Sequence, residues 1–497
     1  MRSSLVLLTA IASCALHPLH ATAQSWTQTG ADIDGDTING LSGYSVSMPD
    51  PYTVGVGSYD DQNTFITGKA RIFAWSGVGN AWVQKGPDIH GASPGDGTAR
   101  SLSMPDANTI AIGAPSSDGN GPDAGRVRVY DWTGTDWVQR GADIHGEASG
   151  DGSGAAVSMP DPNTVAIGAP MNDGGGLNAG HVRLWTWSGT LWLPKGADID
   201  GVADGDGLGS SVSMPDANTV ATGAPYNSGN GNASGHARVH AWDGNAWVQK
   251  GLDLDGTTAE DRAGYAVSMP DANTIALASP WNNVTGFQIG YVRIFSWNGS
   301  AWVQQGGNIN GEADDDRFGS ALSMPDASTV GIGSLWNDGG ATDAGHARIH
   351  EWNGSAWVQV GADINGEAAD DNSAVSLSMP DAHTIAIGAP LNDGYATNAG
   401  HVRIYGDGTV TVQENDQHRS VVAYPNPFHD QVTIELGVFR SSMEVIARNV
   451  LGQEVIRETQ ASTDRAVLRI PGPPGVYALE LRTNDGRIAV VSVVKEL

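Results

Sequence analysis

Cysteine is almost absent from this chain of 497 residues: Cys14 is the single one, and it lies in an apolar stretch near the N-terminus. The body of the protein therefore forms no disulfide and no thiolate-ligated metal site, and its stability rests on packing. Basic residues are scarce as well, with 26 Lys and Arg against 55 Asp and Glu and a formal net charge of −29. A surface of this sign repels polyanions, which excludes nucleic acid as a partner, because phosphate binding needs a basic face. No apolar run approaches the roughly 20 residues a membrane helix requires. Nor does any segment of the chain's repeats sustain a helical period. The usual hydrolase signatures are missing too, with no GxSxG, no HExxH and no Ser-His-Asp order.

What the chain has in abundance is repetition. The tetrapeptide SMPD occurs seven times, with Met48, Met104, Met159, Met214, Met269, Met324 and Met379 in its second position, at one interval of 56 residues and then 55 throughout. A unit of this length, made of short apolar runs between Gly, Asp and Asn, cannot bury its own hydrophobic face and signals a propeller or a solenoid. Each unit carries four strand-like runs in fixed order; the third reads AVSMP, TVAIGAP, HVRLWTW and LWLPKG within residues 156–196. These runs are rich in Val, Ile, Thr and Trp and end in turn chemistry. Seven such units predict an all-β, seven-bladed β-propeller over residues 24–405, a ring that leaves only short protected sheet edges. A β-helix, the rival, would have shorter coils and no Asn-Gly hairpins. Residues 26–34 (WTQTGADID) match the fourth run of a unit, whereas the seventh unit stops after its third run, 401–405. The N-terminal segment is therefore expected to complete the seventh blade, with residues 409–412 (TVTV) as the alternative.

Ahead of the ring, residues 1–23 read as a secretory signal peptide: Arg2, an apolar run over 5–16, and a small-x-small site that sets cleavage between Ala23 and Gln24. Residues 11–14 also fit a lipoprotein pattern, which would tether the chain through Cys14. Beyond the ring, residues 406–420 form a polar linker. Residues 421–497 change vocabulary and are nearly neutral, with eight basic and nine acidic residues, so the preceding part holds almost all of the negative charge. Six strand-like runs in this tail predict a small Ig-like β-sandwich.

In each unit a Gly-Ser or Gly-Ala element precedes a GAP-like one, as in Phe318-Gly319-Ser320 before residues 329–334 (TVGIGS), or Gly209-Ser210-Ser211 before Gly223-Ala224-Pro225. The pattern resembles the FG-GAP repeat of integrin α-subunit propellers, in the variant of bacterial and algal secreted proteins. That resemblance implies an extracellular binding or adhesion role. The family's DxDxDG calcium cage is replaced here by turns such as MPDANT (104–109), which have too few carboxylates for the six to eight oxygens of Ca2+. Acidic residues collect instead in the loops after the fourth and second runs, which an up-and-down blade places on one face. Asp198, Asp200, Asp204 and Asp206 are the candidate Ca2+ ligands there, with no cofactor otherwise required; an acidic solubilising surface is the plainer reading.

Thirteen of the 16 Trp bracket one hairpin, as in Trp297-Asn298-Gly299-Ser300-Ala301-Trp302. This predicts a cross-strand packing pair, with stacking on sugar rings as the functional alternative. Histidine opens the third run in four units (His181, His236, His346, His401), where Lys69, Arg126 and Tyr291 stand in others. Four imidazoles in different blades do not converge on one metal, so a polar position at the strand start is expected.

The tail carries YPNPF (424–428), NVLGQ (449–453), PGVY (474–477) and a last strand ending at Lys495. Together these resemble the type A C-terminal sorting domain of the type IX secretion system of Bacteroidota. The resemblance implies passage through the outer membrane by that machinery, then loss of the tail on release or surface attachment. The expectation is a secreted or outer-membrane surface binding protein that is no enzyme, since near-identical blades offer no singular site. Its repeated loops would engage a polysaccharide or a surface protein by avidity. A polysaccharide-active enzyme and a passive surface-layer component are the alternatives.

Overall fold

The computed structural model describes residues 25–59, 67–76, 80–283, 286–407, 422–424, 429, 431–449, 453–483 and 486–495. Ala23 and Gln24 at the expected cleavage site lie outside them, as do residues 409–412. The chain divides into two units, Met1–Gly408 and Thr409–Leu497. The described residues form strands throughout, and no helix is long and apolar enough to cross a membrane.

The first unit is a seven-bladed β-propeller. Blade 2 shows the plan: Ser101–Asp106 pairs with Thr109–Ala114, which pairs with Arg126–Trp132, all antiparallel. The third strand then pairs outward with two short pieces, Trp137–Gln139 and Ile144–His145. The second piece lies in what the sequence suggests is the loop after the fourth run, and the glycine between the two pieces is sterically required. Gly141 sits there at φ 75°, and a Cβ on it would lie 2.7 Å from the Trp187 ring of the next blade. Only glycine combines that left-handed backbone with no side chain.

The first strands of successive blades touch one another in a closed circle around the axis, and the SMPD tetrapeptide is the clasp. Its Ser hydroxyl accepts the Met N–H of the following blade, from Met104 to Ser47 round to Met48 on Ser378, at 2.9–3.0 Å in all seven seams. The Met side chains are buried between blades. A register shift over Met and Pro marks a bulge. The Asp then accepts the N–H two residues on, as Asn108 donates to Asp106 at 2.7 Å, which turns the chain into the second strand.

At the periphery the tryptophans do the equivalent work. In six blades the hairpin pair meets with ring centroids 5.2–5.6 Å apart. The outer indole N–H reaches back to a main-chain carbonyl of the preceding blade: Trp82 to Thr29, Trp137 to Lys85, Trp192 to Arg140, Trp247 to Lys195, Trp302 to Lys250 and Trp357 to Gln305. Trp26 makes the seventh such bond, to Val360 at 3.0 Å. Its segment completes blade 7, where Thr27–Gln28 and Ile33–Asp34 pair with His401–Gly406.

In the second unit, Val422–Tyr424, Val432–Asn449, Gly475–Thr483 and Gly486–Lys495 lie in that order in one sheet, and Glu454–Leu468 pairs with Val432–Asn449. Val432, Ile434, Val445, Ala447, Leu468, Ile470, Tyr477 and Leu479 form its core. The sequence markers have structural tasks. The Tyr477 hydroxyl donates to Pro473 O at 2.7 Å, and Lys495 Nζ donates to the carbonyls of Ile470 and Gly472.

Deleting residues 25–34 removes the outermost strand of blade 7 and the Trp26 bond, leaving the third strand as an open edge. The ring should then melt at a lower temperature and over a broader range. An unchanged calorimetric transition would mean that another segment closes the blade.

Candidate functional site

The loops after the second strands and the loops leading into the next blade share one face, because neighbouring strands run antiparallel. Much of the acid on this face is committed to structure. Asp151, Asp206, Asp261, Asp316 and Asp371 are at most 3% exposed. They accept bonds from the side-chain amides of Asn172, Asn227, Asn282, Asn337 and Asn392, at 2.7–3.2 Å. Each aspartate thereby ties one loop of its blade to the other.

The four carboxylates expected as Ca2+ ligands accordingly have different duties. Asp206 accepts Ala203 N–H within its own loop as well as Asn227. Asp204 accepts Leu177 N–H from the loop after the second strand. Asp200 lies in the short Ile199–Asp200 piece opposite His181. Asp198 faces the imidazole of His181 and Glu147, its carboxyl raised above the usual range by burial and then by Glu147. Among the described residues, Asp198 is grouped with those two and not with Asp200, Asp204 or Asp206.

His181, His236, His346 and His401 are at most 2% exposed. Burial, and then the guanidinium two residues on (Arg183, Arg238, Arg348, Arg403), lowers each imidazole to about 4, with neighbouring carboxylates opposing. His240 and His350, four residues along the same strands, are lowered to about 4 by the same causes. All six rings are neutral at neutral pH.

Toward the axis the sevenfold sameness ends. Arg262 and Arg317 stand where blades 2, 3 and 4 have Gly97, Gly152 and Gly207; Trp281 and Trp336 stand where blade 3 has Met171 and blade 7 has Leu391. The Arg262 guanidinium lies 5.3 Å from the Tyr226 ring and 4.5 Å from Trp281, and that of Arg317 lies 5.0 Å from Trp281 and 3.3 Å from Trp336. From the other side of the ring, Arg100 covers Tyr44 at 4.9 Å and Tyr59 at 5.8 Å. Tyr265 joins the two halves. Burial raises its phenol, and Arg100, Tyr44, Tyr226 and Arg317 all act on it electrostatically.

Arg317 is engaged, its Nε donating to Gln288 Oε1 at 3.1 Å and lying 3.7 Å from Asp315 Oδ1. Among the described residues Arg100 and Arg262 have no carboxylate within 4.0 Å, and Arg262 Nε is buried with no hydrogen-bond partner. In a protein of −29, three guanidinium groups rest here on aromatic faces, and two of them, Arg100 and Arg262, are without a carboxylate partner among the described residues. These residues were not singled out from the sequence. The signal that marks them is departure from the 55-residue repeat, which the repeat itself conceals.

The second unit matches a known family, described as a secretion system C-terminal sorting domain, over residues 422–495. A tail of this family directs export to the cell surface or the extracellular space and engages the type IX secretion machinery. No curated protein matches the chain. Among solved structures, the β-propeller domain of the trilobed protease from Pyrococcus furiosus shares 8% identity at a TM-score of 0.39, over 73% of this chain and 90% of that one. The xyloglucanase from Xanthomonas campestris shares 12% at 0.41, over 83% and 59% respectively. The α-L-arabinanase from Penicillium chrysogenum shares 9% at 0.36, over 77% and 98%. Similarity this loose bears on neither chemistry nor ligand.

Two expectations follow. Six imidazoles neutral in the folded ring but ordinary, near 6.5, in the unfolded chain make the unfolded state bind more protons between those values. Stability should be full above pH 6.5 and fall as pH drops toward 4, with a ceiling of about 1.4 kcal/mol per pH unit for each ring. A urea midpoint that stays level from pH 7 to 4.5 contradicts this. For the tail, removing residues 421–497 should trap the ring in the periplasm, and fusing them to an unrelated periplasmic protein should export it from a type IX-competent cell. Normal export of the truncated chain would refute that assignment.

Proposed function

We propose that this is a secreted or cell-surface binding protein whose ring, of the FG-GAP-like kind, takes a glycan at the axial mouth, and whose tail is an Ig-like sandwich used for export. The observation that carries the reading is the set Arg100, Arg262, Arg317, Tyr226, Tyr265, Trp281 and Trp336, gathered where the blades cease to be alike. Indole and phenol faces suit the apolar faces of sugar rings. An arginine without a carboxylate partner suits a ligand carboxylate, which it can hold by two parallel bonds. The acidic remainder of the ring disfavours a polyanion. At physiological salt that repulsion fades beyond about 8 Å, so a single acidic sugar in an otherwise neutral chain is the best-matched ligand.

The aromatic and guanidinium groups named for the mouth suit holding a sugar, and binding without turnover is the reading adopted, with Asp315 at the edge of the mouth 3.7 Å from Arg317. The test pairs oligosaccharides that carry one uronic acid with their carboxyl-reduced counterparts, titrated calorimetrically into the full chain. The acidic member should bind, and carboxyl reduction or Arg262→Ala should each weaken it by about 10- to 100-fold, as expected for loss of a charged hydrogen bond worth about 1.5–3 kcal/mol. Trp281→Ala should weaken both members alike. Equal affinity for both sugars, or binding indifferent to Arg262, would remove the mouth as the site.

A further inference from the structure

At each seam between blades, the residue opening the third strand faces two others: one just past the Gly of the preceding inter-blade loop, and one at the break in its own outer strand. In blade 1 these are Lys69, Asp36 and Asp88, and the ammonium lies 2.6 and 2.7 Å from the two carboxylates. In blade 5 they are Tyr291, Thr257 and Asn308, and the Tyr291 and Thr257 hydroxyls are 3.2 Å apart. Blades 3, 6 and 7 keep the acid pair but exchange the lysine for histidine: Glu147 and Asp198 with His181, Glu312 and Asp363 with His346, Glu367 and Asp32 with His401. The positions of the carboxylates that hold a built-in cation in blade 1 therefore face an imidazole in three others.

In each of these three clusters one ring nitrogen and one oxygen from each carboxylate lie within 4.8 Å of one another. His401 Nδ1 is 3.5 Å from Asp32 and 3.9 Å from Glu367, His181 Nδ1 is 3.9 Å from both of its acids, and His346 Nδ1 is 3.8 Å from Asp363. These separations exceed a hydrogen bond. Donors about 2.0–2.2 Å from a shared Zn2+ stand only somewhat closer together, and the Glu side chains are 45–49% exposed, with Glu312 Oε1 accepting from Arg348 at 3.0 Å. Glu147 and Glu367 turn Oε1 toward Arg183 and Arg403 and Oε2 toward the imidazole, so the arginine and an ion would use different oxygens. His346 is 0% exposed, and neither of its ring nitrogens has a hydrogen-bond partner. A buried polar group in that state requires an explanation, and neutral imidazole is the form that ligates metal.

We propose that the seams at His181, His346 and His401 are three copies of a site for a divalent transition-metal cation of the Zn2+ kind, each joining a Glu of one blade to a His and an Asp of the next. One nitrogen and two oxygens suit such an ion and fall short of the oxygen shell of Ca2+. His236 groups with Asp253 and Asp255 of its own blade, but Val202 stands at the Glu position, so that seam lacks its bridging ligand.

The test uses untagged full-length protein stripped with EDTA and titrated with Co2+, then Zn2+. About three equivalents of Co2+ should bind with a visible ligand-field band that Zn2+ abolishes and millimolar Ca2+ does not. The combined variant Glu147→Gln, Glu312→Gln, Glu367→Gln alters half-exposed side chains and should lose all three. His346→Lys, which reproduces the arrangement of blade 1, should lose one while keeping its melting temperature in EDTA. Binding of less than one equivalent, or a stoichiometry unaffected by the triple Glu variant, would overturn the proposal.

Discussion

The seam between neighbouring blades is the constraint on which the molecule depends. A single blade is a small twisted sheet with two faces to cover, and only its neighbours can cover them. Each seam is fixed at both radii: near the axis by Met N–H on a serine hydroxyl, and at the periphery by an indole N–H on a main-chain carbonyl. Bonds of this kind contribute about 1 kcal/mol each, but their direction matters more than their sum. They set the rotation of one blade against the next. Seven identical rotations complete a turn, so the geometry of one seam decides that the ring closes.

With the seams fixed, the loop face is free to vary. Its outer zone spends aspartates on tying loops together, as Asp206 does with Ala203 and Asn227. At the strand starts, charge is tuned blade by blade, from the Lys69 ion pairs to the buried neutral His346. The axial zone departs furthest from sameness, with arginines and tryptophans in place of glycine, methionine and leucine. A scaffold repeated for stability thus carries one place that is not repeated.

The blades were readable from the sequence because their signals are local: the SMPD spacing, the alternating Val and Ile, and the Trp pair astride each turn. The split outer strand is not, since the ring that leaves no room for a side chain at Gly141 is that of Trp187, a residue of the neighbouring blade. Asp204 and Asp206 look alike as letters two apart, yet Asp206 is nearly enclosed and bonds both its own loop and Asn227, while Asp204 accepts from the loop that carries Leu177. The histidines are legible as polar positions at strand starts, but the Glu that His181, His346 and His401 meet lies some 34 residues earlier, across a seam. The axial arginines are concealed by the repeat, since they are marked only by departure from it. In the tail, Tyr477 and Lys495 were legible as a signature, while their shared service to the 470–473 turn required coordinates.

Blade 7 is assembled from both ends of the ring, with Thr27–Gln28 and Ile33–Asp34 laid against His401–Gly406. During synthesis the first of these segments emerges some 370 residues before its partner. Until then it has no strand to pair with, and six blades can stack beside it without completing the circle. Blade 7 therefore cannot be completed before residues 401–406 have been made, and the two ends of the ring are joined there by the ladder and the Trp26 bond.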